Sequence, residues 1–253
     1  MSLVSIDSLN ITIGDTTVCR DLTINIRAGG NWAILGMNGS GKTTLLHTLA
    51  GLHAAQSGEI FLNGKPLFNL SRRVIAQQLG LLMQHQEDHF PGTVLETVLI
   101  GRHPHLKSWQ WESDSDKHIA IEALKHVGLT AFENRSILTL SGGERQRVAL
   151  ATLLVQQTAV RLLDEPVNHL DIHQQHEIMK TLSEENTGKA TLFVLHDINL
   201  ATRYCDHALL LFGNGKTLHG SCTEVLTETN LSQLYQHPLQ EISHQDKRWF
   251  IAN

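Results

Sequence analysis

The sequence predicts an α/β fold: a mostly parallel sheet with helices, joined to an antiparallel β subdomain and interrupted by an inserted α-helical subdomain. Three observations predict it. Short apolar and polar runs alternate over residues 1–30, as in antiparallel strands. Later strand patterns alternate with helical patterns, which favours parallel strands joined by helices. Between them, residues of about 87–140 read as helices and loops.

The early elements are bounded by turn residues and by changes of hydrophobic period. A continuous apolar run predicts a buried strand, and leucines at helical spacing predict the helix that follows. The predicted elements are strands within 1–30 with a turn at Gly14-Asp15, a strand over 32–35, a helix over 42–52, a hairpin over 59–67 turning at Asn63-Gly64, and a strand over 79–83.

The remaining elements divide the chain into a core and an insertion. Residues 1–86 and 141–220 are assigned to the core, about 87–140 to the helical subdomain, and 221–253 to a short C-terminal tail. The predicted elements are helices over 94–100 and 116–127 in the insertion, then strands over 160–163, 191–195 and 208–212 separated by helices.

Composition narrows the classes of function. The chain has 253 residues, of which 41% are hydrophobic and 18% charged, enough to bury the core of a large domain. Its 25 acidic residues outnumber its 20 basic ones, which gives no support to a nucleic-acid partner. The sequence has no run of about 18 apolar residues and no signal-peptide pattern, so we expect no membrane span of its own.

Cysteines and histidines do not form a metal-site pattern. The three cysteines are far apart and include no CxxC pair, so we interpret them as reduced thiols. The pairs His85/His89 and His103/His105 lack Cys, Asp or further His at ligand spacing. We interpret these histidines as solvated or structural.

A complete phosphate-binding loop lies between the strand over 32–35 and the helix over 42–52. Its glycines let backbone N–H groups turn toward a phosphate, and the helix N-terminus adds partial positive charge. Lys42 is predicted to bind the β- and γ-phosphates, and the Thr43 hydroxyl to ligate Mg²⁺. The motif predicts nucleotide hydrolysis without separating GTPases, kinases, helicases and transport motors. The residues assigned to it, which match GxxxxGK[ST] and add one position, are Gly36, Met37, Asn38, Gly39, Ser40, Gly41, Lys42, Thr43 and Thr44.

Polar side chains also follow two later strands. Asp164 and Glu165 end the strand over 160–163. Asp164 is predicted to hold Mg²⁺, and Glu165 to polarise a water for attack on the γ-phosphate. His196 follows the strand over 191–195, at the edge where open α/β sheets bind ligands, and could contact the γ-phosphate and the water. A solvated strand end and a surface histidine are the alternatives.

The segment 140–146, Leu-Ser-Gly-Gly-Glu-Arg-Gln, decides the family. It resembles the LSGGQ signature of ABC ATPases and opens a helix whose free N–H groups form a second anion site. The resemblance implies that the signature of one subunit closes over the ATP held by another, in a head-to-tail homodimer with two ATP molecules at its interface. The residues that it assigns to this contact are Ser141, Gly142, Gly143 and Gln146.

Other motifs extend the resemblance over about residues 3–240, and we assign 1–240 to an ABC ATPase domain. Gln84 resembles the Q-loop glutamine, implied to touch Mg²⁺ and the attacking water. Residues 166–171 resemble the D-loop, which crosses the dimer interface. Glu165 resembles the catalytic glutamate, and His196 the switch histidine.

One position departs from the family pattern. Where the family usually stacks an aromatic side chain on adenine, the matching residue is Ile13. Isoleucine can pack against a base but has no π-face, so the missing stacking energy is on the order of 1 kcal/mol. Base selectivity is therefore open at this position.

Two segments point to a group within the family. Residues 90–106 and 196–201 resemble the ATPases of iron-siderophore, haem and cobalamin importers. The resemblance implies a separate permease dimer, an indirect partnership with a periplasmic or extracellular substrate-binding protein, and a peripheral position on the cytoplasmic face of the membrane. The alternatives are an ABC ATPase that serves another solute, one that serves an exporter, or a soluble ABC protein of translation or DNA repair. A non-ABC kinase would leave the signature unexplained.

Overall fold

The chain folds as the sequence predicts, into an α/β core, an antiparallel sheet and a helical insertion. The structure, a computed structural model, describes residues 2–84, 91–107, 109–245 and 247–253. In these ranges the strands are β1 (Ser2–Ile13), β2 (Thr16–Arg27), β3 (Asn31–Gly36), β4 (Ser57–Leu62), β5 (Lys65–Pro66), β6 (Leu79–Leu82), β7 (Val160–Asp164), β8 (Ala190–Val194), β9 (His207–Leu211), β10 (Thr217–Ser221), β11 (Leu239–His244) and β12 (Lys247–Ala252).

Helices connect these strands and form the insertion. They are α1 (Lys42–Leu49), α2 (Arg72–Gln78), α3 (Val94–Leu99), α4 (Asp114–His126), α5 (Gly142–Leu154), α6 (Ile172–Glu184), α7 (Ile198–Tyr204), α8 (Cys222–Val225) and α9 (Glu228–Tyr235). Short 3-10 helices cover Leu67–Asn69, Ile100–His105 and Ile137–Thr139. Across the described residues, none of the helices combines the length and the apolar character that a bilayer crossing requires.

The main sheet brings the ends of distant segments to one edge. Its order is β10-β9-β3-β8-β7-β6. The strands from β9 to β6 are parallel, and only β10 at the rim is antiparallel. Because the carboxyl ends of parallel strands share an edge, the segments that follow β3, β7 and β8 meet there.

Helix α1 lies between the main sheet and a second, antiparallel sheet with the order β2-β1-β4-β5. Side chains alternate along β3, so its two faces serve two clusters. Trp32 and Ile34 join the cluster that contains α1 and the antiparallel sheet. Ala33 and Leu35 join the cluster that contains the helices of the insertion and α5. Helix α1 therefore packs against the face of the main sheet that carries Trp32 and Ile34 on one side and against the antiparallel sheet on the other.

The insertion contains α3 and α4 and packs against α5. Both helices begin with a capping box, in which the cap hydroxyl and the N3 carboxylate bond reciprocally. The cap at Ser113 starts α4 at residue 114 rather than at the predicted 116. Helix α1 ends at Leu49, short of the predicted residue 52, because Gly51 has a φ of 71°.

Residues 221–253, assigned to a tail from the sequence, form α8, α9 and the β11–β12 hairpin. Leu226, Leu231 and Phe250 are buried in the cluster that also holds α5 and α7. The described residues of this segment therefore contribute to the core, which the short and weakly periodic elements did not reveal.

A buried ion pair within the insertion includes Arg102, which also bonds the C-terminal cap residue of α5. Arg102 Nε donates to Asp116 Oδ1 over 2.8 Å, and Arg102 Nη1 donates to the Val155 carbonyl over 2.8 Å. The hydroxyl and the N–H of Ser113 also bond Asp116. These bonds, with the charge of Arg102, lower the pKa of Asp116 from 3.8 to about 2.

We expect Asp116→Asn to lower the free energy of unfolding by about 2 kcal/mol at neutral pH, since a hydrogen bond to a charged group is lost. Because the folded-state pKa is depressed, the stabilisation is present above pH 4 and lost as the pH falls toward 2. Urea unfolding between pH 7 and pH 2.5 measures it. Asp114→Asn is the control, since the Asp114 side chain is fully exposed. Equal losses in the two variants would contradict the assignment.

Candidate nucleotide-binding and hydrolysis site

The phosphate-binding loop connects β3 to α1, and two of its glycines have no room for a side chain. A Cβ on Gly36 would lie 2.5 Å from Ser40 Oγ and 2.6 Å from the Leu211 carbonyl oxygen. A Cβ on Gly41 would lie 2.4 Å from Val18 Cγ2, and its φ of 94° is left-handed. Glycine at these positions lets the loop close tightly before α1 begins.

The tip of the loop faces solvent. Met37, Asn38 and Gly39 are exposed, and Gly39 has a φ of 79° with open space around its Cα. Ser40 is buried, and its N–H donates to the Met37 carbonyl over 3.1 Å. Thr44 lies half-buried in the first turn of α1. The loop therefore has an exposed tip over residues 37–39 and a buried residue, Ser40, behind it.

The buried side chain of Lys42 bonds backbone carbonyls of its own loop. Its Nζ donates to the carbonyls of Gly36 over 2.8 Å and of Met37 over 3.1 Å, and the residue is 7% exposed. Burial lowers the pKa of Lys42, and the charges of Glu165 and Asp164 act in the opposite direction. The ammonium group is thus held within the loop that is assigned to phosphate.

Thr43 and Asp164 join α1 to the end of β7. Thr43 Oγ1 donates to Asp164 Oδ2 over 2.6 Å, while Asp164 Oδ1 is buried without a hydrogen-bond partner among the described residues. Burial raises the pKa of Asp164, opposed by the Thr43 hydrogen bond. A bound cation would satisfy the unpartnered oxygen and favour the ionised carboxylate. A hydroxyl and a carboxylate are hard oxygen ligands that suit Mg²⁺.

Glu165 is the centre of a polar cluster at the same edge. Its φ is 53°, its N–H donates to the Val194 carbonyl over 3.2 Å, and its side chain is 9% exposed. Gln84 Nε2 donates to Glu165 Oε2 over 2.9 Å, and His196 Nε2 lies 2.5 Å from Glu165 Oε1. The structure therefore brings together the three residues that were predicted to act in hydrolysis.

Asn168 is a contact that the sequence analysis did not assign. Its side-chain amide donates to Glu165 Oε2. Asn168 lies in the segment that resembles the D-loop, but a contact with Glu165 depends on the turn between the two residues. That turn brings the Asn168 N–H to the Glu165 carbonyl over 3.3 Å.

The signature residues lie at the start of α5. Ser141 caps the helix with Glu144 in a capping box, and a Cβ on Gly142 would meet open space. A Cβ on Gly143 would lie 3.1 Å from the His169 carbonyl oxygen. Gln146 Nε2 donates to the Pro166 carbonyl over 3.0 Å. Within the described ranges, no hydrogen bond or ion pair joins residues 141–143 to the phosphate-binding loop.

Ile13 ends β1 with an exposed side chain, at 50% relative exposure. The hairpin that carries it also carries Val18, which fills the space beside Gly41. The exposed Ile13 side chain therefore lies on the hairpin that borders the loop.

The two histidines of the pair His103/His105 contact different residues. His105 Nε2 lies 2.8 Å from the Gln156 carbonyl, and His103 Nε2 lies 3.5 Å from Glu112 Oε1. His85 and His89 lie outside the described residues.

Comparison with known proteins settles the family. The sequence model of the ABC transporter family matches residues 19–168. The iron(3+)-hydroxamate import ATP-binding protein of Bacillus subtilis is 36% identical over 238 residues, 93% of this chain and 88% of the relative. The ferric enterobactin transport ATP-binding protein of Escherichia coli is 36% identical, covering 90% and 85%. A hemin import ATP-binding protein of Shewanella denitrificans is 35% identical, covering 96% and 97%.

Solved structures agree. A chain described as belonging to an inward-facing metal-chelate type ABC transporter has a TM-score of 0.86 and 26% identity, covering 100% of this chain and 98% of its own. A dimeric, post-hydrolysis ATP-binding cassette bound to ADP and Pi has a TM-score of 0.76 and 27% identity, covering 86% and 98%. The chain belongs to the ABC transporter family, as an ATP-binding and ATP-hydrolysing subunit.

We expect Glu165→Gln to lose at least about 100-fold in the rate of ATP hydrolysis, because the amide cannot accept a proton from water. Binding of ATP should stay within about twofold of the unchanged protein, since Lys42 and the loop are intact. Phosphate release and equilibrium binding of a fluorescent ATP analogue measure the two effects. Lys42→Ala is the comparison variant, expected to weaken binding itself. Wild-type hydrolysis by Glu165→Gln would contradict the role of Glu165.

Proposed function

We propose that the phosphates of ATP lie on residues 36–44, with Lys42 against the β- and γ-phosphates. Thr43, Asp164 and Gln84 would hold Mg²⁺, which supplies Lewis-acid neutralisation of phosphate charge when bound. The buried Asp164 Oδ1, which has no hydrogen-bond partner in the part of the chain that the structure describes, lies on the carboxylate that the Thr43 hydroxyl bonds and supports this assignment. Glu165 accepts a proton from the attacking water, and His196 orients the water and the γ-phosphate.

The second half of each site belongs to another copy of the chain. Ser141, Gly142 and Gly143 open a helix whose exposed N–H groups suit an anion, yet they make no bond to their own loop within the described ranges. Closing a head-to-tail dimer would bring them onto ATP held by the other subunit. Ile13 packs against the base without an aromatic face.

The chain energises import of a metal chelate of the iron-siderophore, haem or cobalamin type. Relatives at 35–36% identity are named for iron-hydroxamate, ferric enterobactin and hemin import. The observation that carries this proposal is that these likenesses cover 90% or more of the chain, including the insertion. The partners are a permease dimer and, through it, a substrate-binding protein. The chain lies on the cytoplasmic face of the membrane.

Uptake of radiolabelled iron tests this function in source cells that lack the gene. We expect loss of uptake of one ferric-siderophore, haem or cobalamin class, restored by the wild-type gene and not by Glu165→Gln. Lys117→Ala is the control, because Lys117 is an exposed residue of α4 that should restore uptake fully. An affinity-tagged chain should copurify with a permease from membranes. Unchanged uptake of all three classes, together with a permease for another solute, would contradict the substrate assignment.

A further inference from the structure

The C-terminal hairpin is fastened to the helix that follows His196. The Phe250 N–H donates to Asn199 Oδ1 over 2.8 Å, and Asn199 Nδ2 donates to the Phe250 carbonyl over 3.1 Å. The side-chain amide thus bonds both backbone groups of one residue of β12, as a neighbouring strand would. Phe250 itself is 4% exposed and packs in the main core cluster.

The backbone around His196 is held on its other side by the sheet. Leu195 is buried, and its N–H donates to the Ile34 carbonyl over 3.3 Å. After His196, Asp197 caps α7 by accepting from the N–H of Asn199 over 2.7 Å and of Leu200 over 3.3 Å. His196 is therefore an exposed residue whose backbone is held on one side by the sheet and on the other by the first turn of α7.

The hairpin is itself bonded to other residues of 221–253, which we call the C-terminal unit, so it can act as an anchor. Arg248 forms a bidentate pair with Glu241, at 2.6 Å from Nε to Oε1 and 2.8 Å from Nη2 to Oε2. Arg248 Nη2 also donates to the Leu226 carbonyl, in a residue with no exposed surface. The first turn of α7 is thereby bonded to a hairpin at the far end of the sequence that is itself bonded to Leu226.

We propose that Asn199 is a positioning residue for hydrolysis: by bonding Phe250 it fixes the first turn of α7 and holds His196 at its 2.5 Å separation from Glu165 Oε1. The inference rests on the proposed role of His196. Its physical reason is that a catalytic side chain on a short loop must be held by its neighbours, and a misplacement of about 1 Å can cost about 100-fold in rate. The C-terminal unit then contributes to hydrolysis by holding His196 in position, without touching ATP.

Steady-state ATP hydrolysis by Asn199→Ala tests the proposal in the full chain. We expect kcat to fall about tenfold while KM for ATP stays within about twofold, because the phosphate-binding loop is untouched. Asn199→Asp keeps the acceptor for the Phe250 N–H but loses the donor, and should fall between Ala and wild type. Ser232→Ala is the matched control: it removes a 2.9 Å bond from the Leu239 N–H within the same C-terminal unit without touching α7.

A double-mutant cycle separates positioning from loss of stability. If Asn199 acts through His196, Asn199→Ala should not slow hydrolysis further in a His196→Ala background, measured in single turnovers. An equal loss in both backgrounds, an equal loss in Ser232→Ala, or wild-type kcat in folded Asn199→Ala would overturn the proposal. Wild-type hydrolysis by His196→Ala would instead overturn the role of His196 on which it depends.

Discussion

The hydrogen bond from Thr43 to Asp164, 2.6 Å long, connects two parts of the chain separated by 121 positions. It forms because β3, β8 and β7 are neighbours in a parallel sheet, so that the segments after them leave the same edge. The same edge carries Glu165 and His196, while Gln84 arrives from β6 at the rim. The assigned Mg²⁺, water and γ-phosphate contacts depend on this meeting of strand ends, and α1, packed between two sheets, holds the loop against it.

The residues assigned to ATP and Mg²⁺ fall into a buried group and an exposed group. Lys42 and Asp164 are buried, while the tip of the loop is exposed, and burial shifts the pKa of Lys42 down and that of Asp164 up. Each shift disfavours the charged form, so a phosphate and a cation would relieve both at once. The signature residues Ser141 and Gly142, by contrast, are exposed at the start of α5, and Gln146 of the same segment donates to the carbonyls of Glu165 and Pro166. A site of this kind has a buried half and an open half that a second surface can complete.

Much of this was predictable from the sequence, because the decisive groups lie in contiguous motifs. The loop over 36–43, the strand ending at Asp164 and the signature each combine local pattern with residue type. The Asn168–Glu165 and Asn199–Phe250 contacts were not predictable, since they depend on a left-handed Glu165 and on a hairpin 51 residues away. The C-terminal unit was missed because its elements are too short to show a clear period.

Sedimentation of Glu165→Gln with ATP and Mg²⁺ tests most directly whether two copies complete the site. We expect a dimer with ATP and a monomer without it. Adding Gly142→Glu should return the protein to a monomer that still binds ATP. The new side chain would enter open space and suit a helix N-terminus, but its charge would oppose the partner's γ-phosphate. If Glu165→Gln stayed a monomer with ATP bound, or if Gly142→Glu left the dimer intact, two copies of the chain would not complete the site in this way.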